Sequence, residues 1–188
     1  MSKFAIKIEH GDKKNVKISD GFFGEGSRIT TSANRCVLFN VLINKLYLNF
    51  NGLNCADFCC GSGIVGFELL SLGVKKCLFV DCDRKKIKNV NDAIKKTGFC
   101  AETIYCYLPS FSSNEQFDLI FFDPPYQNDF CQQTVDMIFE KKLLKNNGIL
   151  VVETLHEIDA KNYKILDIKR LKNKAMFYFL SLHNNSNF

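Results

Sequence analysis

The chain of 188 residues is the size of one domain, or of one domain with a short arm. Hydrophobic residues make up 46% of it, enough for a sizeable core, yet no apolar run approaches the roughly 18 residues that cross a membrane. The formal net charge of +5 permits a polyanionic partner without requiring one. The first residues show no signal-peptide pattern, so we expect a cytoplasmic protein without membrane association.

The nine cysteines lie mostly inside apolar segments, and no Cys-x-x-Cys pair occurs among them. None lies near a histidine at the spacing of a zinc site. Buried free thiols in a reducing compartment account for this pattern better than disulfides or a metal do. We therefore expect neither a disulfide nor a bound metal ion.

The first 30 residues predict a small hairpin arm, with strands over 4–8 and 16–18, followed by a glycine-containing loop over 21–31. A helix is predicted from Ser32, as its N-cap, to about Leu48. Beyond residue 54, hydrophobic periodicity predicts strands over 55–58, 77–80, 102–107, 117–122 and 148–153, and helices over 64–72, 84–96 and 130–144. Two closing strands, 163–168 and 175–182, are joined by a short turn at Lys172 and Asn173.

This alternation predicts an α/β fold of the Rossmann-like type. A mostly parallel sheet of seven strands would carry helices on both faces, with an antiparallel hairpin at one edge. We expect two regions, the hairpin arm and loop over 1–30 and the main domain over 31–188.

A loop of unusual composition, Asp123-Pro124-Pro125-Tyr126, follows the apolar strand over 117–122. The prolines fix φ and lack an N–H, and each restricts the residue before it, so the loop is rigid. It would hold a carboxylate, a bare carbonyl and an aromatic ring in one arrangement. That combination suits a planar nucleobase gripped by its exocyclic amine, although Asp and Pro also occur in ordinary turns.

A glycine-rich turn joins the first core strand to its helix. Gly61, Gly63 and Gly66 have the G-x-G-x-x-G spacing of dinucleotide folds, a weak signal by itself. Asp81 ends the next strand, where a carboxylate accepts ribose hydroxyls or caps the following helix. Asp57, four residues before Gly61, would repel a pyrophosphate and attract the amino group of a methionine moiety. Asp57 therefore favours S-adenosylmethionine over NAD, although it could also cap the turn that follows its strand.

The three aspartates share one location. Asp57, Asp81 and Asp123 all come at the carboxyl ends of predicted strands, and this rim is where open α/β sheets bind ligands. Three separated acids at one rim form a stronger signal than any of the motifs alone.

These motifs resemble those of the RsmD-type 16S rRNA guanine-N2 methyltransferases, a family of class I S-adenosylmethionine-dependent methyltransferases. The segment from Arg28 to Asn40 is similar in spacing to the family pattern R-P-T-x-x-x-x-R-E-x-L-F-N, with Ile29 and Cys36 as departures. The stretch 57–63 resembles D-x-F-A-G-S-G, and 123–126 resembles D-P-P-[YF]. The similarity extends from about residue 28 to 182.

The resemblance implies S-adenosylmethionine as cofactor and 16S rRNA, or an assembling small subunit, as partner. We expect a monomer, because nothing in the sequence marks an additional apolar stripe. Carried over to this chain, it assigns the catalytic loop to Asp123, Pro124, Pro125 and Tyr126. The predicted cofactor-binding residues are Asp57, Cys59, Gly61, Gly63, Asp81, Cys82 and Cys106. The predicted RNA-binding residues are Lys13, Lys14, Lys17, Arg28, Thr30 and Arg35.

Other functions stay open at this point. An adenine-N6 or cytosine-N4 DNA methyltransferase would use the same loop, but it usually carries a target-recognition domain for which this chain has little room. A NAD-dependent oxidoreductase is disfavoured by Asp57. A non-catalytic RNA-binding protein could retain the fold, although the intact 123–126 loop argues against it.

Overall fold

A central sheet of seven strands organises the computed structural model, which describes residues 6–19, 30–125 and 128–182. The strands are β1 (Ile6–Lys7), β2 (Lys17–Ser19), β3 (Asn54–Phe58), β4 (Lys76–Asp81), β5 (Ala101–Tyr105), β6 (Phe117–Phe122), β7 (Leu144–Thr154), β8 (Tyr163–Arg170) and β9 (Met176–Leu182). The α-helices are α1 (Ser32–Asn40), α2 (Ile64–Ser71), α3 (Arg84–Thr97) and α4 (Asn128–Glu140).

The sheet order is β5-β4-β3-β6-β7-β9-β8. The first five strands of this order run parallel, and β9 is antiparallel to both β7 and β8. The chain proceeds outward from β3 to β5 and then returns to β6 beside β3, so the strand order reverses between β3 and β6. A ligand crevice forms at such a reversal. The predicted mostly parallel sheet with its antiparallel edge hairpin is confirmed.

Helices cover both faces because the central strands are apolar on both sides. Along β6, Leu119 and Phe121 join a core with α1, α2 and α3, whereas Ile120 and Phe122 join a second core with α4. This alternation sends successive side chains to opposite faces. Asp123 follows Phe121 by two residues and therefore lies on the same side of the sheet as Phe121.

The first helix is shorter than predicted. Thr31, not Ser32, is its N-cap, since the Thr31 hydroxyl accepts a hydrogen bond from the Asn34 N–H. Regular α-helix ends at Asn40 and continues as a π-helical segment, Val41–Lys45, so the prediction of helix to Leu48 was wrong. The apolar periodicity continued across this wider turn and concealed the boundary.

The last helix also ends early. The prediction placed helix to residue 144 and strand from 148, but α4 ends at Glu140 and β7 begins at Leu144. Lys142 has a positive φ of 52° and turns the chain. Leu143 and Leu144 are buried in the core as part of this turn and the strand that follows it, so their hydrophobicity resembled another helical turn.

The N-terminal hairpin packs on α2 through one buried carboxylate. Glu68 accepts hydrogen bonds from the N–H groups of Glu9 (2.8 Å) and His10 (2.9 Å). Arg35 of α1 donates to Glu68 (3.3 Å) and pairs with Glu9 (2.9 Å). Glu9, His10 and Glu68 lie within 4.8 Å of one another, as metal ligands would, but Arg35 already supplies the positive charge there. The network joins the arm, α1 and α2.

Within the described residues, no helix has the length and apolarity that crossing a membrane requires.

Replacing Glu68 with glutamine should destabilise the fold. The buried Arg35 charge would keep only Glu9 as a carboxylate partner. Removing one partner of a comparable buried pair costs about 3–5 kcal/mol, which sets the upper end of the expected loss. The free energy of unfolding from urea titration would measure this. The exposed Lys88–Asp92 pair of α3 provides the control, because Asp92→Asn should change stability little. Equal stability of the two variants would contradict a structural role for the buried pair.

Candidate active site

The glycine-rich turn lies at the carboxyl rim between β3 and α2. Gly61 has a φ of +55°, and a Cβ built there would meet nothing closer than the Cys59 carbonyl oxygen at 3.9 Å. The backbone at Gly61 therefore faces open space that a ligand can approach. Gly66 allows close packing instead, since a Cβ added at this position would lie 2.3 Å from the Phe79 ring. The spacing thus combines ligand access with close contact between helix and strand.

Asp81 fixes this turn from the neighbouring strand. Its carboxylate accepts hydrogen bonds from the Gly61 N–H and the Asp83 N–H, both at 2.9 Å. Asp83, rather than Asp81, is the N-cap of α3, because its side chain accepts from the N–H groups of Lys85 and Lys86. Asp81 thus lies at its predicted position at the rim, beside Gly61, and Asp83 caps the helix instead.

Asp57 is buried at the end of β3. Its exposure is 2%, and its Oδ2 accepts a hydrogen bond from the Gly66 N–H at 3.0 Å. Burial raises the pKa of this carboxyl well above its ordinary value, and the nearby charges of Asp123 and Asp81 raise it further, against the lowering effect of the Gly66 hydrogen bond. A cationic ligand beside Asp57 would oppose these effects.

A small cavity opens between the glycine-rich turn and β6, with about 280 Å³ of empty space when the open solvent at its mouth is included. It brings together five of the predicted site residues, since Thr30, Asp57, Cys59, Gly61 and Asp123 all line it. The remaining lining residues were not predicted: Cys60, Ser62, Ile64, Val65 and Phe121. A signal for Phe121 was available, because it precedes Asp123 by two residues and so shares its face of the strand.

The proline loop begins where β6 leaves the sheet. The Asp123 N–H donates to the Phe58 carbonyl oxygen of β3 at 3.3 Å, which holds the loop against the neighbouring strand. Pro124 is buried and Pro125 is exposed. The loop therefore meets the cavity through Asp123, and Tyr126 lies outside the described residues.

The three predicted cysteines differ in their surroundings. Cys59 is half-buried, and burial raises the pKa of its thiol. Cys82, after Asp81, is exposed at the rim. The Cys106 N–H donates to the Asp81 carbonyl oxygen at 3.1 Å, so Cys106 adjoins the same rim beyond the end of β5. The predicted strand over 102–107 extended two residues past the end of β5, because pairing ends where Asp81 meets Tyr105.

The predicted RNA-binding residues do not form one surface. Arg35 is buried, with its guanidinium bonded to Glu68, Glu9 and the Thr30 carbonyl oxygen (2.8 Å), so it faces the interior rather than a phosphate. Thr30 lines the cavity. Arg28 lies outside the described residues.

The three lysines of the hairpin sit far from the cavity. Lys13 donates to the Thr97 carbonyl oxygen and lies over the Phe99 ring, while Lys96 donates to the Lys17 carbonyl oxygen. Lys14 is exposed in the same turn. These contacts are with the end of α3 that is remote from the rim, about 20 Å away for a helix of this length. RNA contact by these lysines remains a prediction. An RNA that contacted both the lysines and the cavity would have to span this distance.

Comparison with known proteins agrees with this geometry. The family model described as conserved hypothetical protein 95 matches residues 6–180. The chain is 30% identical over 169 residues to ribosomal RNA small subunit methyltransferase D of Haemophilus influenzae, covering 85% of this chain and 83% of that protein. The chain belongs to the RsmD family of methyltransferases. The predicted family resemblance is thereby confirmed.

Solved structures show the same fold. The yhhF protein of Escherichia coli has a TM-score of 0.81 at 20% identity, covering 95% of this chain and 98% of that chain. The RsmC 16S rRNA N2 methyltransferase of T. thermophilus, solved with AdoMet and guanosine, has a TM-score of 0.65 at 14% identity, covering 85% of this chain and 45% of that chain. At these identities the likeness concerns the fold, which is the predicted class I methyltransferase fold.

Thiol labelling should report ligand binding at this rim. Iodoacetamide should modify the exposed Cys82 readily and the buried Cys60, whose thiol pKa is raised by burial, slowly. S-adenosylhomocysteine should slow labelling of Cys82 but not of Cys36 or Cys100, which are exposed elsewhere. Mass spectrometry of digested protein would measure each site. Equal labelling of Cys82 with and without the ligand would remove it from the cofactor-binding residues.

Proposed function

We propose that the protein transfers a methyl group from S-adenosylmethionine to the exocyclic N2 amine of a guanine in small-subunit rRNA. The observation that carries the proposal is the meeting of Asp57, Gly61 and Asp123 around one cavity at the strand-order reversal. Membership of the RsmD family and the similarity to the small subunit rRNA methyltransferase of H. influenzae support rRNA as the substrate class. We further propose that the substrate is 16S rRNA or an assembling subunit, and that the protein acts as a monomer.

The residues present fit the proposed cofactor. Asp57 offers a buried carboxylate to an ammonium group, and the open backbone at Gly61 leaves room for a ligand beside it. Asp81 stands at the position from which a carboxylate accepts ribose hydroxyls. Cys59, Gly63, Cys82 and Cys106 complete the proposed cofactor-binding set. When bound, the cofactor supplies a methyl group already activated by a positive sulfonium.

Asp123 and Pro124 would prepare the target amine. The guanine N2 is a poor nucleophile because its lone pair is delocalised into the ring. The Asp123 carboxylate and the Pro124 carbonyl oxygen can each accept one of its N–H groups, which favours the geometry in which the lone pair faces the methyl group. Tyr126 would stack on the base once the base has left its neighbours. Positioning and fixed electrostatics would supply most of the rate enhancement. Asp123 can also accept the proton that the amine releases.

The first test of this proposal identifies the product. Protein would be incubated with labelled S-adenosylmethionine and undermethylated small subunits, naked 16S rRNA or DNA, and the labelled nucleoside would be identified after digestion. We expect N2-methylguanosine from the subunit or its rRNA. Label in methyladenine or methylcytosine of DNA would overturn the substrate assignment. Cofactor binding without any labelled product would indicate a non-catalytic protein.

Asp123→Ala should separate chemistry from binding. Loss of this acceptor should lower kcat by about 100-fold or more, as loss of a preorganised hydrogen-bonding group does in other enzymes, with cofactor affinity unchanged. Asp81→Ala should do the reverse and weaken cofactor affinity at least about tenfold. Single-turnover kinetics and calorimetry would measure the two effects. Asp129, an exposed acid in the first turn of α4, gives the control variant Asp129→Ala. Normal turnover by Asp123→Ala would exclude the proposed mechanism.

Cofactor affinity should rise with pH in mildly acidic solution. The raised pKa of Asp57 keeps part of the free protein protonated there, while the ammonium group of the ligand selects the carboxylate. Binding should therefore release a proton and strengthen as the pH rises above the ordinary aspartate pKa of about 3.9 toward the α-amino pKa of about 7.7–8.0. Calorimetry in two buffers of different ionisation enthalpy would count the protons. Asp57→Asn should bind more weakly with no such dependence. A slope identical in both proteins would assign the proton to another group.

A further inference from the structure

Two exposed tyrosines lie at the carboxyl rim, beside the site and outside its cavity. Tyr105 is the last residue of β5 and pairs in register with Asp81. Tyr107 follows two residues later, just before the 3-10 turn at Leu108–Ser110. The exposed fractions of these two residues are 52% and 56%. By contrast, most of the phenylalanines that the structure describes are buried in the core. Neither ring has a part in the mechanism proposed above.

Each ring leans on a side chain at the start of a helix. The Arg84 guanidinium, at the first residue of α3, lies over the Tyr105 ring with 4.8 Å between its central carbon and the ring centroid. The Tyr107 ring lies 5.5 Å from the ring of Phe130, in the first turn of α4 after the proline loop. We call Arg84, Tyr105, Tyr107 and Phe130 the aromatic rim. It extends from the side of Asp81 to the side of the proline loop.

Charge and shape together favour one kind of ligand. Flat rings and a guanidinium plane offer stacking surfaces, and base stacking is tolerant of sequence because every base has a π-face. Arg84 and Lys85 are exposed at the start of α3 and can contact phosphates. A protein partner would gain from the apolar rings, but it would not need the basic groups beside them. Single-stranded nucleic acid uses both.

We propose that the aromatic rim stacks the unpaired nucleotides that flank the target guanine. This inference rests on the proposed function, because a base drawn into the site must leave its neighbours and deprive them of a stacking partner. Tyr105 and Tyr107 would provide the replacement surface, next to the loop that holds the target. The rim would thereby favour a guanine in a loop or bulge over one in a continuous helix.

The test uses the full chain and five variants, one of them a control. Tyr105→Ala and Tyr107→Ala remove a ring, whereas Tyr105→Phe and Tyr107→Phe keep it and lose only the hydroxyl. Tyr47→Ala is the control, since Tyr47 is 84% exposed and lies two residues after Lys45, which pairs with Asp167 of β8, the edge strand opposite β5. The probe is a fluorescein-labelled single-stranded RNA oligonucleotide of about 12 nucleotides that contains guanine. Anisotropy measures its affinity in the presence of S-adenosylhomocysteine, and calorimetry measures the affinity for S-adenosylhomocysteine itself.

We expect each alanine variant to bind the RNA at least about fivefold more weakly, in line with the loss of one stacked base. The phenylalanine variants and Tyr47→Ala should bind like the unchanged protein. In methyl transfer to small subunits, the alanine variants should raise KM with little change in kcat.

RNA affinity unchanged in the alanine variants would overturn this inference and leave the proposed function intact. Weaker cofactor binding with unchanged RNA affinity would also overturn it, by assigning the rings to the cofactor. An unchanged protein that binds cofactor but neither binds nor methylates RNA would overturn the proposed function and this inference together.

Discussion

Two buried aspartates hold the glycine-rich turn, and the candidate site depends on this arrangement. Asp57 accepts from the Gly66 N–H, and Asp81 accepts from the Gly61 N–H, so the turn is tied to β3 and to β4. Backbone N–H groups therefore hold both carboxylates at the rim, and Lys86 forms an ion pair with Asp81 at 3.8 Å. A turn fixed in this way by its acids presents an open backbone at Gly61 and concentrates negative charge beside it.

That concentration of charge selects the ligand chemistry. Asp57 shares the cavity with Asp123, and burial, followed by the charges of Asp123 and Asp81, raises the pKa of its carboxyl because a bare carboxylate is unfavourable there. A phosphate would add to the repulsion, whereas an ammonium, a sulfonium or the N–H groups of an amine would relieve it. The same electrostatics thus serve both proposed ligands, the cofactor at Asp57 and the base at Asp123. The preference of the cavity for cationic ligands and hydrogen-bond donors follows from the fold, since parallel strands place all three acids at one rim.

Much of the candidate site was predictable because it depends on patterns among residues that are close together in the sequence. Strand periodicity and the position of an acid after each strand predicted the rim, and the cavity indeed unites Asp57, Gly61 and Asp123. Long-range ion pairs were not predictable: Arg35 and Glu68 are 33 residues apart, and an arginine on an amphipathic helix gives no sign of its partner. The resemblance to a family motif suggested an outward role for Arg35, yet burial and two carboxylates give it an inward one.

The inward role of Arg35 explains how a distant hairpin can serve the site. Glu68 binds the hairpin backbone and Arg35 together, and Arg35 in turn donates to the Thr30 carbonyl oxygen. Thr30 lines the cavity, and Thr31 caps the helix that carries Arg35. The hairpin, α2 and α1 therefore form one connected unit whose end lies at the rim. Residues far from the ligands can thus determine the position of the cavity wall. The motif around Arg35 therefore affects the site although the Arg35 side chain is buried.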